Sequence, residues 1–258
     1  MNPGFILTTY NREPHILETC VRSIENLFPD SDIIIVDDGS DSEHKKAYKL
    51  RGIPDSYFTR ISTIDDCPGT YHINGCNNPA HAFNTGVEVA KTLDINDVFI
   101  VSSDVIVSRG LRWAVENIDP ESTVWTPSVV DTSSGEIYVR PSKVRPLPWC
   151  LYTSISSISA IGGWDTGYLR GLAFEDNDFS ARLCQHVGRL IIDGHTVVYH
   201  QSHPQVVFSD NCHGWSINES YTRSKWSGGI PFSTPNPVPY TLIDTVDKSY
   251  TFSFEAGA

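Results

Sequence analysis

Apolar residues in this chain fall into short unbroken runs, separated by segments where they recur at helical spacing. That alternation is the rhythm of a parallel α/β sheet, whose strands are buried on both faces. Gly4-Phe5-Ile6-Leu7-Thr8-Thr9 is the first run, and Asp32-Ile33-Ile34-Ile35-Val36-Asp37-Asp38-Gly39-Ser40 is the second. Between them Ile16, Leu17, Val21, Ile24, Leu27 and Phe28 recur at roughly helical spacing, with Pro14 suited to a first turn and Pro29 to a stop. Residues 4–40 therefore predict a strand–helix–strand unit, right-handed and parallel.

The pattern continues with a short polar helix over 43–51, a third strand over Tyr57–Ile64 and a helix over Ala80–Leu93. Between the last two, residues 65–79 form a loop rich in Gly, Asn, Pro and Cys. Asp97–Val107 reads as another buried strand, interrupted by Ser102-Ser103-Asp104. From 120 to 160 short strands alternate with prolines (Pro127, Pro141, Pro146, Pro148), an extension of the sheet. Phe174-Glu175-Asp176-Asn177-Asp178 opens a helix that runs to about Val187. Ile191-Ile192 and Thr196–Tyr199 are the last clear strands, and they deliver His200 and His203. Beyond Pro204 the chain turns Gly-, Pro- and aromatic-rich, which predicts a lid-like or wrapping tail rather than a separate domain.

Composition narrows the class. The 258 residues suffice for one large α/β domain, and 40% hydrophobic with 19% charged residues is ordinary for a globular protein. A formal charge of −12 argues against a broad nucleic-acid surface. No run approaches the roughly 18 apolar residues of a membrane span, and the N-terminus lacks a basic region followed by an apolar one. The expectation is a soluble, cytoplasmic protein. The six cysteines are dispersed, as reduced thiols would be. Cys67, His72, Cys76 and His81 cluster, but at a spacing that fits no common zinc module.

Candidate chemistry lies at the strand ends. Open α/β sheets bind ligands beyond the carboxyl ends of their strands, which is where Asp37 and Asp38 stand, although capping of the next helix is an alternative. No Gly-x-Gly-x-x-Gly or Walker lysine loop follows the first strand, which disfavours dinucleotide dehydrogenases and P-loop enzymes. Asp104, inside an apolar run, must be hydrogen-bonded, metal-bound or at a strand end. Glu175, Asp176 and Asp178 exceed what a helix cap needs. His200 and His203, beside that acid-rich helix, are candidate metal ligands.

With these residues laid out, the sequence resembles family 2 glycosyltransferases of the GT-A fold over roughly residues 3–204. The turns Thr8-Thr9-Tyr10-Asn11-Arg12 and Val36-Asp37-Asp38-Gly39-Ser40 look like that family's paired nucleotide-binding motifs. The resemblance implies a Rossmann-like, mostly parallel central sheet flanked by helices. It implies a domain over 1–204, with a nucleotide-binding half (1–107) and an acceptor-binding half (108–204), and a C-terminal extension (205–258) packing on it. Thr8, Tyr10 and Arg12 would line the nucleotide, and one of Asp37 and Asp38, preferably Asp38, would read uracil or ribose. Ala82-Phe83-Asn84-Thr85-Gly86 is similar to a segment where the family has Ala-Arg-Asn-x-Gly, with Asn84 retained and Phe83 in place of the arginine. Ser102-Ser103-Asp104 resembles the Asp-x-Asp metal motif with its first acid replaced by serine. Asp104 then keeps the metal contact, and His200 completes the site. Gly162-Gly163-Trp164-Asp165 through Phe174-Glu175-Asp176 is similar to the acceptor-side Glu-Asp motif. Tyr221-Thr222-Arg223-Ser224-Lys225-Trp226 looks like a Lys-Trp-Gly ending found in some relatives.

Glycosyl transfer explains why such residues are needed together. A diphosphate leaving group develops charge that a divalent cation, Mn²⁺ or Mg²⁺, stabilises on hard oxygen ligands with a histidine. The acceptor hydroxyl needs a carboxylate to take its proton, Asp176 first, Glu175 next and Asp178 last. Trp164 offers either an apolar face for a sugar ring or a core side chain. The expected activity is an inverting transfer of a sugar from a UDP-sugar to a hydroxyl on a saccharide, lipid, protein or modified nucleic-acid base. The rival expectation is a non-catalytic sugar-nucleotide or glycan-binding descendant, for which Ser102 and Phe83 are the evidence.

Overall fold

The computed structural model describes residues 2–60, 79–139, 144, 146–171, 173–203, 213–233, 236–246 and 248–255. Its first half runs β1 (Gly4–Thr9), α1 (Pro14–Leu27), β2 (Ile33–Asp37), α2 (Ser42–Leu50), β3 (Phe58–Arg60), α3 (Ala80–Thr92) and β4 (Asp97–Ser102). Strands β2, β1 and β4 lie side by side and parallel, in a register that aligns Thr9 with Asp37 and Thr8 with Ser102. Their carboxyl ends therefore meet at one edge of the sheet. Every residue of β2 is buried, as four consecutive branched apolar side chains require. Helix α1 starts with Pro14 and turns Ile16, Leu17, Cys20, Val21 and Ile24 inward. Asp41 caps α2 by accepting from the His44 backbone at 2.9 Å.

The second half runs β5 (Val105–Ile106), α4 (Gly110–Asn117), β6 (Val124–Asp131), β7 (Ile137–Val139), β8 (Cys150–Ser154), α5 (Ile155–Ala160), α6 (Glu175–Val187), β9 (Arg189–His200), α7 (His213–Lys225), β10 (Tyr240–Val246) and β11 (Ser249–Phe254). The described strands make one mixed sheet in the order β10-β11-β9-β6-β8-β4-β1-β2-β3, with β5 beside β9 and β7 beside β6. Its core includes a run of aromatic contacts through Phe28, Phe5, Phe99, Tyr152 and Trp125.

Two elements differ from the sequence reading, and a third is described only in part. The strand expected over Asp97–Val107 stops at Ser102, turns at Ser103–Asp104 and resumes as β5 on a different neighbour, β9. A carboxylate cannot continue a strand whose faces are both apolar, and the turn brings Asp104 to polar partners. The two strands expected over 191–192 and 196–199 are one strand, β9, whose pairing with β6 shifts register between Pro127 and Ser128. The third strand is described only over Phe58–Arg60, so the rest of its expected span and most of the 65–79 loop, including Cys67, His72 and Cys76, lie outside the described residues. Residues after 240 add the antiparallel pair β10–β11 to the sheet through β9.

Candidate active site

Asp104 is the centre of the site. Its side chain is 6% exposed, and Oδ2 is 3.1 Å from Arg12 Nη2, 3.1 Å from His203 Nε2 and 3.6 Å from His200 Nε2. Ser102 donates from Oγ to Asp104 Oδ1 at 2.7 Å. The turn after β4 and the β5–β9 pairing cause this meeting. Val105 stands opposite His200, and the Gln201 backbone N–H donates to the Asp104 carbonyl at 2.8 Å. Burial by itself would raise the Asp104 carboxyl. The hydrogen bonds to His200 and His203, with the Arg12 charge, outweigh it and hold the group far below the usual carboxylate range. The same hydrogen bond to Asp104 raises His200 against the effect of its own burial.

His200 is gripped from its other side. Its Nδ1 lies 3.0 Å from Asp131 Oδ2, at the end of β6. Asp131 Oδ1 meanwhile accepts from the backbone and hydroxyl of Ser133 and of Ser134. The Ser133 hydroxyl above all, then the Ser134 backbone and His200, hold Asp131 well below the ordinary carboxylate value. Sequence reading missed Asp131 and did not separate His203 from His200. The signal for Asp131 was present: an apolar run ending in Asp, followed by Thr-Ser-Ser-Gly, has the form that drew notice to Asp37 and Asp38.

The strand-end acid pair divides into two unlike groups. Asp37 Oδ1 accepts from the Ser40 backbone at 2.9 Å, so Asp37 shapes its own turn, with Lys45 Nζ 4.0 Å from Oδ2. Asp38 is 2% exposed, and neither of its carboxylate oxygens has a hydrogen-bond partner among the described residues. Burial first, then the Asp37 charge, push its carboxyl up to about 7. A buried acid without a partner demands a ligand or a proton. The turns that follow β1 and β2 are tied together. Asn11 N–H donates to Ser40 Oγ, Asp41 N–H donates to Asn11 Oδ1, and Tyr48 Oη donates to the Arg12 carbonyl. Asn11 adopts φ 44°, within the left-handed region that asparagine tolerates. Thr8 is half-buried at the end of β1, Tyr10 is exposed, and Ser103 is buried beside Asp104.

Other expected residues take structural work. Asn84 exchanges two hydrogen bonds of 2.8 Å with the backbone of Trp164, locking α3 to the 162–165 turn. Trp164 is 1% exposed and stacked between Phe83 and Phe179, so it is a core residue and presents no face to a sugar. Phe83, standing where the resembling family has an arginine, is one wall of that stack. Gly86 lets α3 lie on the sheet, since a Cβ there would meet Ile6 Cγ2 at 2.5 Å. Asp178 is fully buried and saturated by Arg182 Nε (2.7 Å), Lys225 Nζ (2.8 Å) and Trp226 Nε1 (2.9 Å). The Lys225-Trp226 pair thus fastens α7 to α6. Glu175 and Asp176 stand on the first turn of α6, which packs against β6 and β9. Two consecutive left-handed residues, Ala173 (φ 62°) and Phe174 (φ 70°), lead into that turn. Such strain collects where geometry serves function.

One ligand atom from each of Asp104, His200 and His203 lies within 4.8 Å of the other two. A carboxylate and two imidazoles so arranged, at the carboxyl edge of the sheet, fit a divalent cation. Residues 5–111 match the family model described as glycosyl transferase family 2. Compared by sequence with curated proteins, it matches none. Its fold is that of solved GT-A glycosyltransferases. A mannosyltransferase from Pyrobaculum calidifontis, solved with GDP-Man and Mn²⁺, superimposes with TM-score 0.55 at 16% identity, covering 89% of this chain and 66% of that one. A fragment of S. aureus TarS with UDP-GlcNAc gives TM-score 0.60 at 15% identity, covering 90% and 68%. Glucosyl-3-phosphoglycerate synthase of M. tuberculosis gives 0.50 at 15% identity, covering 89% and 81%. The present chain spans about two thirds of the length of the first two. No described helix is long and apolar enough to cross a membrane.

Proposed function

We propose that the protein is a metal-dependent, inverting glycosyltransferase that moves a sugar from a nucleotide-sugar donor, a UDP-sugar, to an acceptor hydroxyl. The observation that carries this reading is the convergence of Arg12, Asp104, His200 and His203 at the strand edge that also bears Asp38, whose carboxylate has no hydrogen-bond partner among the described residues. The solved relatives support it, since one was captured with Mn²⁺ and GDP-Man and another with UDP-GlcNAc.

Asp104 and His200, joined by His203, would hold Mn²⁺ or Mg²⁺, which when bound supplies positive charge against the leaving diphosphate. Thr8, Tyr10, Arg12, Asp37 and Asp38 would line the nucleotide together with Ser102 and Ser103, which adjoin Asp104. Arg12, which balances Asp104 without ligand, is a second cation within reach of a diphosphate. Asp38, titrating near neutrality, either donates to or accepts from the base or ribose. Asp176 takes the proton of the attacking hydroxyl, and Glu175 holds neighbouring acceptor hydroxyls. Residues 1–107 then form the nucleotide side and 108–204 the acceptor side. The described residues from 213 onward pack on the same body through Lys225, Trp226 and β11.

The test is calorimetric titration of UDP, GDP and dTDP, each with Mn²⁺ and with EDTA. The expected result is metal-dependent binding with UDP preferred. Absence of binding by all three in both conditions overturns the reading.

A further inference from the structure

The register shift between β6 and β9 has a chemical result. In the first part of this pairing Val124 faces Leu190 and Pro127 faces Asp193. Continued unchanged, it would set Asp131 opposite Val197. The shift instead aligns Asp131 with His200. Asp131 Oδ2 then lies 3.0 Å from His200 Nδ1 and also accepts from Tyr138 Oη at 3.2 Å. Its other oxygen is fixed by the Ser133–Ser134 turn, so the carboxylate has little freedom to leave. An acceptor at Nδ1 selects the tautomer with the proton on that nitrogen, which leaves the Nε2 lone pair toward Asp104.

We propose that Asp131 is the positioning residue that makes His200 a metal ligand, and that the resulting centre of two imidazoles and one carboxylate selects a transition-metal dication over Mg²⁺. The proposal rests on the metal site of the preceding section. Its reason is ligand chemistry: imidazole suits transition metals, whereas Mg²⁺ demands oxygen ligands and keeps its waters. Ser102 stands where a second carboxylate would make the site oxygen-rich, and its hydroxyl is directed to Asp104. Asp131 acts through His200 and does not touch the metal.

Asp131→Asn separates this role from that of the turn. The amide oxygen still accepts from Ser133 and Ser134, but its NH₂ now faces His200 Nδ1 and favours the opposite tautomer. Mn²⁺ and Mg²⁺ are titrated calorimetrically, without nucleotide, into wild type, Asp131→Asn and Ser133→Ala. Wild type should bind Mn²⁺ at least about tenfold more tightly than Mg²⁺. Asp131→Asn should lose about 10–100-fold in Mn²⁺ affinity, the usual weight of an outer-shell partner, and little for Mg²⁺. Ser133→Ala should stay close to wild type. Equal Mn²⁺ affinity in wild type and Asp131→Asn overturns the proposal. So does equal Mn²⁺ and Mg²⁺ affinity in wild type, or an equal loss in Ser133→Ala, which would make the effect one of turn structure. Nitrogen-15 spectra of metal-free wild type at alkaline pH give a reading independent of any variant's folding: the proton belongs on His200 Nδ1, and finding it on Nε2 overturns the assignment. If Mn²⁺ binds as expected while no nucleotide does, glycosyl transfer fails and the role of Asp131 stands. If Asp131→Asn keeps wild-type Mn²⁺-dependent UDP binding, the reverse holds.

Discussion

At the scale of single residues, neighbouring carboxylates are set apart by what surrounds them. Asp37 and Asp38 are adjacent and both buried, yet Asp37 accepts from the Ser40 backbone and the Asp38 carboxylate meets no hydrogen-bond partner among the described residues. Asp176 and Asp178 are two positions apart on one helix, and Asp178 is engaged by a lysine, an arginine and a tryptophan. Asp178 is fully buried with both oxygens already accepting hydrogen bonds inside the protein, and the proposed base is therefore Asp176. Asp176→Asn is therefore expected to lower transfer by about 10²–10⁴-fold while nucleotide affinity by calorimetry stays nearly unchanged. Wild-type turnover in that variant would refute the assignment. Asp104→Ala removes the carboxylate shared by Arg12, His203 and His200. It should weaken Mn²⁺-dependent nucleotide binding at least about tenfold, since even outer-shell partners typically carry 10–100-fold. The measurement is the difference between titrations with Mn²⁺ and with EDTA, which this variant should largely abolish.

At the scale of elements, the site is assembled by contacts between segments far apart in sequence. Helix α3 lies close on β1 and β2 because residue 86 has no side chain. Gly86→Ala should cost about 1–3 kcal/mol despite the better helix propensity of alanine, because Ile6 and Val36 cannot withdraw from the space. Equilibrium urea unfolding measures it, and an unchanged or raised stability would show that the helix can shift outward. Helix α7 is fastened to α6 by polar groups. Removing Asp178 leaves Arg182 and Lys225 facing each other without their common anion. Asp178→Ala is expected to destabilise by about 3 kcal/mol and to release α7. Hydrogen exchange should show faster loss of protection in 213–225 than in β1 or β2, and equal protection would count against the fastening role.

At the scale of the whole molecule, the buried acids make stability depend on pH in opposing directions. Asp38 titrates near 7 when folded and at 3.8 as an ordinary carboxyl. Between those values the folded chain holds a proton that the unfolded chain has released, so stability falls as pH rises through this window and levels off above it. The full effect is at most about 4 kcal/mol. Asp104 and Asp131, held low by their partners, act in the opposite sense. Their contribution is present above the ordinary carboxylate value and is lost as pH falls below it. Asp38→Asn should flatten the decline between pH 4 and 7 and leave the acid limb in place. Denaturant unfolding across that range is the check, and an identical slope in the variant would place the proton elsewhere.

The sequence by itself determined the strands β1 and β2, helices α1, α3 and α6 and the strand-end turns, and it singled out Arg12, Asp104, His200 and His203, which the structure brings together. It did so because burial on both faces of a parallel strand leaves a readable apolar run, and because ligand-facing residues must follow such runs. Tertiary structure alone decided which of those residues meet. The turn at Ser103–Asp104 depends on β9 offering an edge to β5. The partnership of Asp131 with His200 depends on a register shift that no local pattern specifies. Trp164 became core and Asn84 a clamp because Phe83 and Phe179 close on the ring from distant helices. Periodicity records whether a side chain is buried. Only the packed chain records what it is buried against.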